Sequence, residues 1–268
     1  MIDWTDAFDN MGYVPGAGEL PARWAAAAEA FRQGWQAKRL LDENVSYGPG
    51  PREKLDIFRP EGASAGLVTF VHGGYWVRLD KSYWSHLAAG CLAEGWSVAM
   101  PSYPLAPSAR IHEITACVAR AVEKAAEEVP GPIRLMGHSA GGHLVSRMMC
   151  AGVLPEPVAA RLARVTSISG LHQLAPLMEA KMNADLRLDA AEAEAESPAL
   201  QTPLNVPFTA WVGAQERPEF LRQTRLIEEV WGLKGADVHA VYDPGHNHFS
   251  VIEALAEPAS PLVAEVLR

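Results

Sequence analysis

The chain has 268 residues, 49% apolar and 21% charged, with 22 Gly and 20 Pro, which is the make-up of a folded globular protein and excludes a disordered tail or a fibre. Its 23 Lys plus Arg against 32 Asp plus Glu give a formal charge of −9 with no basic cluster, so no nucleic-acid partner is expected. The first ten residues carry Asp3, Asp6 and Asp9 but no Lys or Arg, unlike a signal peptide, and the longest apolar stretch, 87–100, is interrupted by Glu94; no membrane span is expected, and the cytoplasm is the expected location.

Residues 1–50 hold one helical pattern, 21–40, ahead of the first predicted strand, and are expected to drape over the mouth or edge of a sheet. Short apolar runs bounded by Gly or Pro then predict strands at 55–58, 67–71, 97–100, 133–136, 165–168, 208–212 and 238–241. Stretches with apolar residues three and four apart predict helices at 83–94, 111–129, 142–150, 219–231 and 249–255. Such alternation implies a doubly wound α/β fold: one domain, a mostly parallel sheet and helices on both faces. Residues 171–207 break the alternation and form a candidate cap at the carboxyl ends of the strands, with Glu192, Glu194 and Glu196 read as a solvated helix face. Cys91, Cys117 and Cys150 are far apart and lie in helical patterns, so they read as buried small hydrophobes of a reducing compartment.

The strongest chemical signal is Gly137-His138-Ser139-Ala140-Gly141, G-x-S-x-G between a buried strand and an amphipathic helix. In that context the serine sits on a sharp strand-to-helix turn with its Oγ exposed above the sheet, as a nucleophile requires. A second signal, His72-Gly73-Gly74-Tyr75-Trp76, ends another strand. Acyl transfer through a serine builds charge on the carbonyl oxygen, and backbone N–H groups must be aimed at it. Gly74, Tyr75 and Ala140 are the expected donors; His72 and Gly73 shape the loop, Gly73 beside the substrate. Tyr75, Trp76 and Trp84 are candidate walls of an aryl pocket, each with a core aromatic as the competing reading.

A general base is expected last along the chain, which favours His248, with His246 as its rival. His138 and His143 are expected to line or support the turn, and His86, His112, His172 and His239 to be packing or surface residues. The carboxylate that orients the base should follow strand 208–212; Glu216 precedes the proline that opens the next helix, Glu219 lies inside its first turn, and Asp243 shapes the base's own loop. His246-Asn-His248 alone is too little for a metal site, so neither a metal nor a cofactor is expected.

These residues carry a resemblance. The chain resembles α/β-hydrolases of the hormone-sensitive-lipase-like esterase group and, more closely, their serine-dependent kynurenine formamidase (arylformamidase) branch, on His72-Gly73-Gly74-Tyr75-Trp76, Gly137-His138-Ser139-Ala140-Gly141, His248-Phe249 and the weaker Tyr103-Pro104-Leu105-Ala106-Pro107. The resemblance implies Ser139 as nucleophile, His248 as base, Glu216 as acid and N-formylkynurenine, a metabolite of tryptophan catabolism, as substrate, with short-chain or aryl esters as the runner-up. Two departures stand out: Glu occupies the acid position where Asp is commoner, and Tyr75-Trp76 replaces a third Gly, which favours the formamidase branch over the esterases. The partner expected is a small molecule; whether the chain forms a homodimer is left open.

Overall fold

The computed structural model describes residues 2–268 around one sheet of eight strands: β1 (Leu41–Ser46), β2 (Lys54–Phe58), β3 (Leu67–Val71), β4 (Ser97–Pro101), β5 (Ile133–His138), β6 (Leu162–Ile168), β7 (Phe208–Gly213) and β8 (Val238–Asp243). Their spatial order is β1-β2-β4-β3-β5-β6-β7-β8. β2 pairs antiparallel with β1 and β4, and every other pairing is parallel. All residues of β3, β4 and β7 are buried, which is why these strands read as continuous apolar runs.

Side chains alternate between two cores. Along β3, Leu67 and Val71 enter the layer formed with α2 (Ile111–Glu128) and α3 (Ala140–Met148), whereas Val68 and Phe70 enter the opposite layer, closed by α1 (Leu20–Lys38) and α5 (Pro261–Leu267). α4 (Pro218–Leu233) packs beside β7 and β8. α2 buries Ile111, Ile114, Val118, Ala121, Val122 and Ala125 as one stripe, and the Arg110 N–H donates to Glu113 Oε2 at 2.7 Å to cap its start.

The structure corrects the sequence reading in three places. β1 lies within the supposed extension of residues 1–50. Its Leu-Asp-Glu-Asn-Val-Ser run hides the strand pattern because it is an edge strand, bulged between Asp42 and Val45, with its acids toward solvent. The predicted helix at 83–94 is two 3₁₀ turns (Lys81–Tyr83, Ser85–Ala88) and a short helix (Ala89–Ala93), and the one at 249–255 is a 3₁₀ turn, Ser250–Ala256. Finally, residues 171–207 do not present Glu192 and Glu196 to water. Both are buried: Glu192 accepts from Arg110 and His112, while Glu196 accepts from Thr115 Oγ1 at 2.6 Å and from Arg147 Nε at 3.1 Å, which staples the segment to α2 and α3. Glu194 stays exposed.

Candidate active site

Ser139 leaves β5 with φ 56° and ψ −117°, a conformation that costs a non-glycine residue about 1–3 kcal/mol and needs the surrounding structure to hold it. Its N–H donates to Ile168 O on β6 at 2.8 Å, and α3 begins at the next residue. The flanking glycines are steric necessities. A Cβ on Gly137 would lie 2.3 Å from Gly141 O, and one on Gly141 would lie 1.9 Å from Val71 O, so any side chain there drives the turn off β3.

The loop after β3 faces this turn. The buried His72 ring stacks on Tyr103 at 4.2 Å, its Nδ1 lies 2.7 Å from Gly73 O, and its backbone carbonyl accepts from the Tyr103 hydroxyl at 2.8 Å. Burial pushes the His72 pKa down to about 4, so the ring is a neutral strut. Beyond it the chain takes left-handed backbone at Gly74 (φ 117°), Tyr75 (φ 52°) and Trp76 (φ 59°). This leaves the N–H groups of Gly74 and Tyr75 without a protein acceptor among the described residues, as is that of Ala140 at the start of α3. Three donors with nothing to donate to, one at a helix N-terminus, make a site suited to an oxyanion. Trp76, predicted from the motif as a cleft wall, turns the other way: it is fully buried in the core, edge-on to His143 at 5.1 Å, and does not reach the cleft.

His248 follows β8 and is 2% exposed. Its Nδ1 lies 2.7 Å from Glu216 Oε2, while Glu216 Oε1 accepts from Ser169 Oγ at 2.5 Å and from the Gly213 N–H at 2.9 Å. The carboxylate is thus fixed at both oxygens, and His248 Nε2 has no protein partner among the described residues. The rivals are occupied elsewhere. Glu219 binds Arg222 and Gln223, Asp243 accepts from Trp211 Nε1 at 3.2 Å, and His246 Nδ1 lies 3.2 Å from Ser250 Oγ. His138 supports its neighbour: its Nε2 lies 2.8 Å from His248 O, and burial first, then the nearby His248, hold its pKa well below the ordinary histidine value. His143 and His172 are buried, with Nε2 of His143 2.7 Å from Glu196 O and Nε2 of His172 3.0 Å from Ser167 Oγ.

Ser139, His248, Gly73, Gly74 and Tyr75 line one cleft, which holds about 500 Å³ of unfilled space including its open mouth. Trp84 and His138, both expected from the sequence, also line it, whereas no motif singles out Met11, Pro21, Trp24, Arg78, Leu79 or Phe249 as its wall. Residues 171–207 contribute nothing to it, whereas the N-terminal segment contributes Met11, Pro21 and Trp24. Trp24 lies 4.7 Å from Trp84 and 5.8 Å from Phe249, so an aromatic cluster closes one side. The segment is tied to the donor loop itself: the Tyr75 hydroxyl donates to Phe8 O and accepts from Asn10 Nδ2 at 2.9 Å. Phe8 in turn packs on Phe220, whose ring lies 4.5 Å from that of His248. Ser169, in left-handed backbone at φ 52°, is a further residue no motif announces, found only by its bond to Glu216.

A family model described as "Alpha/beta hydrolase family" matches residues 70–265, which spans the donor loop, the serine turn and both members of the His248–Glu216 pair. The chain belongs to the alpha/beta hydrolase family. This alpha/beta hydrolase is 28% identical to a protein named "Kynurenine formamidase" from Salmo salar over 245 residues, which covers 85% of this chain and 82% of that one. It is 26% identical to a protein of the same name from Danio rerio over 260 residues, covering 88% and 89%. A crystal structure described as that of a candidate thioesterase from Silicibacter sp. TM1040 superposes with a TM-score of 0.95 at 49% identity and covers the whole of both chains. The sheet order and the serine turn are therefore those of a hydrolase. Among the described residues no three His, Cys, Asp or Glu side chains cluster as metal ligands, and no helix is long and apolar enough to cross a membrane.

Proposed function

We propose that this hydrolase cleaves the formyl group from an N-formyl aryl amine, with N-formylkynurenine as its substrate, through an acyl-enzyme on Ser139. The observation that carries the reading is His248, which lines the same cleft as Ser139, Gly74 and Tyr75 and is held from behind at 2.7 Å by the doubly anchored Glu216 carboxylate, with three unengaged N–H donors, those of Gly74, Tyr75 and Ala140, around the serine turn. Glu216 holds the proton on His248 Nδ1, so Nε2 is the basic nitrogen. His248 takes the Ser139 proton as Oγ adds to the formyl carbon, and the oxyanion is held by Gly74, Tyr75 and Ala140. The C–N bond then breaks, His248 returns the proton to the departing aryl amine, and water attacks the formyl ester by the same relay to release formate and free Ser139.

The amide reading is supported by the two vertebrate relatives named kynurenine formamidase and by the aromatic wall of Trp24, Trp84 and Phe249, which suits an aryl leaving group. Ester or thioester cleavage is the second reading, favoured by the description of the 49% identical structure as a thioesterase. Rates on N-formylkynurenine, a p-nitrophenyl short-chain ester and an acyl thioester, measured side by side, test the substrate. The formamide should be preferred; negligible formamide turnover beside brisk ester or thioester turnover would replace the substrate and keep the relay. Residence in a reducing compartment such as the cytoplasm belongs to the same proposal, since Cys91, Cys117 and Cys150 are all free and buried.

A further inference from the structure

The cleft wall is almost wholly apolar and aromatic, with one fixed charge: Arg78. No carboxylate lines the cleft, and among the described residues the Arg78 guanidinium makes neither a hydrogen bond nor an ion pair, although the chain carries an excess of nine acids. The residue is exposed at the mouth, yet its backbone is placed firmly. Its N–H and that of Val77 both donate to Gly74 O, at 3.2 and 3.1 Å, so the loop that offers the N–H donors also carries the cation. Most other arginines of the chain are engaged. Arg32, Arg110, Arg147 and Arg222, for example, all have carboxylate partners within 3.2 Å. A planar cation without a partner beside an apolar cleft is suited to grip a carboxylate that enters with the substrate.

We propose that Arg78 binds a carboxylate at the end of the substrate remote from the scissile acyl group, which makes this enzyme selective for aryl substrates that bear a carboxylate there over those of the same shape that lack one. The inference rests on the reading of this cleft as the substrate site but not on formamide as the bond cleaved. For N-formylkynurenine, the carboxylate is that of the amino-acid side arm.

Two measurements separate these claims. The first is binding without chemistry: dissociation constants of kynurenine and of its carboxamide, by calorimetry, on the wild type, Arg78→Met and Arg78→Lys. The wild type should prefer the acid by roughly 10- to 100-fold, the range of a charge-assisted contact. Arg78→Met should lose that preference, Arg78→Lys should keep part of it, and added salt should shrink it in the wild type. The second is turnover of 4-acetoxybenzoate against its methyl ester, where the ratio of kcat/KM, acid over ester, should fall in Arg78→Met through a rise in KM for the acid. An acid preference that is absent in the wild type, or undiminished in Arg78→Met, overturns the proposal. A preference that depends on Arg78 while N-formylkynurenine is not cleaved would sink the formamidase reading alone.

Discussion

Replacing Tyr75 by Phe removes a single oxygen from the junction between the donor loop and the N-terminal roof of the cleft. The hydroxyl donates to Phe8 O and accepts from Asn10 Nδ2; Phe8 and Asn10 are both buried, and Asn10 Oδ1 already lacks a partner. Leaving two buried groups unpaired costs about 1–3 kcal/mol each if nothing moves. The segment is short and can relieve part of that by lifting, so the net loss should be about 2–4 kcal/mol, a fall in Tm of roughly 5–10 °C for a chain of this size. Lifting carries Met11 away from the cleft and loosens the edge-on Phe8–Phe220 contact that backs the His248 ring. Hydrogen exchange across residues 4–13 should therefore quicken, and KM should rise roughly tenfold while kcat falls less. Slow exchange over 4–13 together with an unchanged KM would refute the claim that this hydroxyl fastens the roof.

Other substitutions test other joints. Glu216→Gln places an amide opposite His248 Nδ1 and favours the wrong tautomer; kcat should drop by about 10³- to 10⁴-fold with little change in KM, and a loss under tenfold would assign the carboxylate a structural role only. Gly141→Ala puts a methyl 1.9 Å from Val71 O and should destabilise by about 3–5 kcal/mol, read as a lower urea midpoint; a midpoint within error of the wild type would show that the turn has slack. Acid should unfold the protein early. Burial depresses His72 and His143 to about 4, His172 to about 3 and His138 well below its ordinary value, so the unfolded chain binds more protons than the folded one below pH 6.5. Stability from these four groups is complete above pH 6.5 and is lost as pH falls towards 4, by about 1.4 kcal/mol per pH unit for each proton taken up. A urea midpoint that stays level from pH 7 to 5 would contradict the neutral, buried assignment.

Much of the fold is legible because the central strands are buried on both faces, so β3, β4 and β7 announce themselves as apolar runs between Gly and Pro. Ser139 and the Gly74–Tyr75 loop are legible for a different reason: strained turns and close backbone approaches demand glycine at fixed offsets, and those offsets survive in the chain as motifs. That the first fifty residues cover the mouth or edge of the sheet is legible, but which of them reach the cleft is not. Met11, Pro21 and Trp24 reach the cleft through the path of a segment with no motif, and nothing local distinguishes Trp24, in the cleft wall, from Trp35, which bonds to Arg59 O. Trp76 misleads for the converse reason: it follows Tyr75 directly in the motif, yet Tyr75 lines the cleft while the Trp76 ring is fully buried against His143, both in left-handed backbone within the same core. The burial of Glu192 and Glu196 depends on Arg110 and Arg147, some 82 and 49 residues away in sequence, beyond the reach of local charge patterning.

Covalent labelling shows whether Ser139 carries the acyl group. An aryl or alkyl phosphonate that mimics the oxyanion should add once to the protein, seen by intact mass, with the adduct mapping to Ser139 and with turnover lost in proportion to labelling. Ser139→Ala should take up no label and should retain no more than the residual rate that binding and the N–H donors supply. A label on any other residue, or an alanine variant that still turns over substrate at the wild-type rate, would contradict the account.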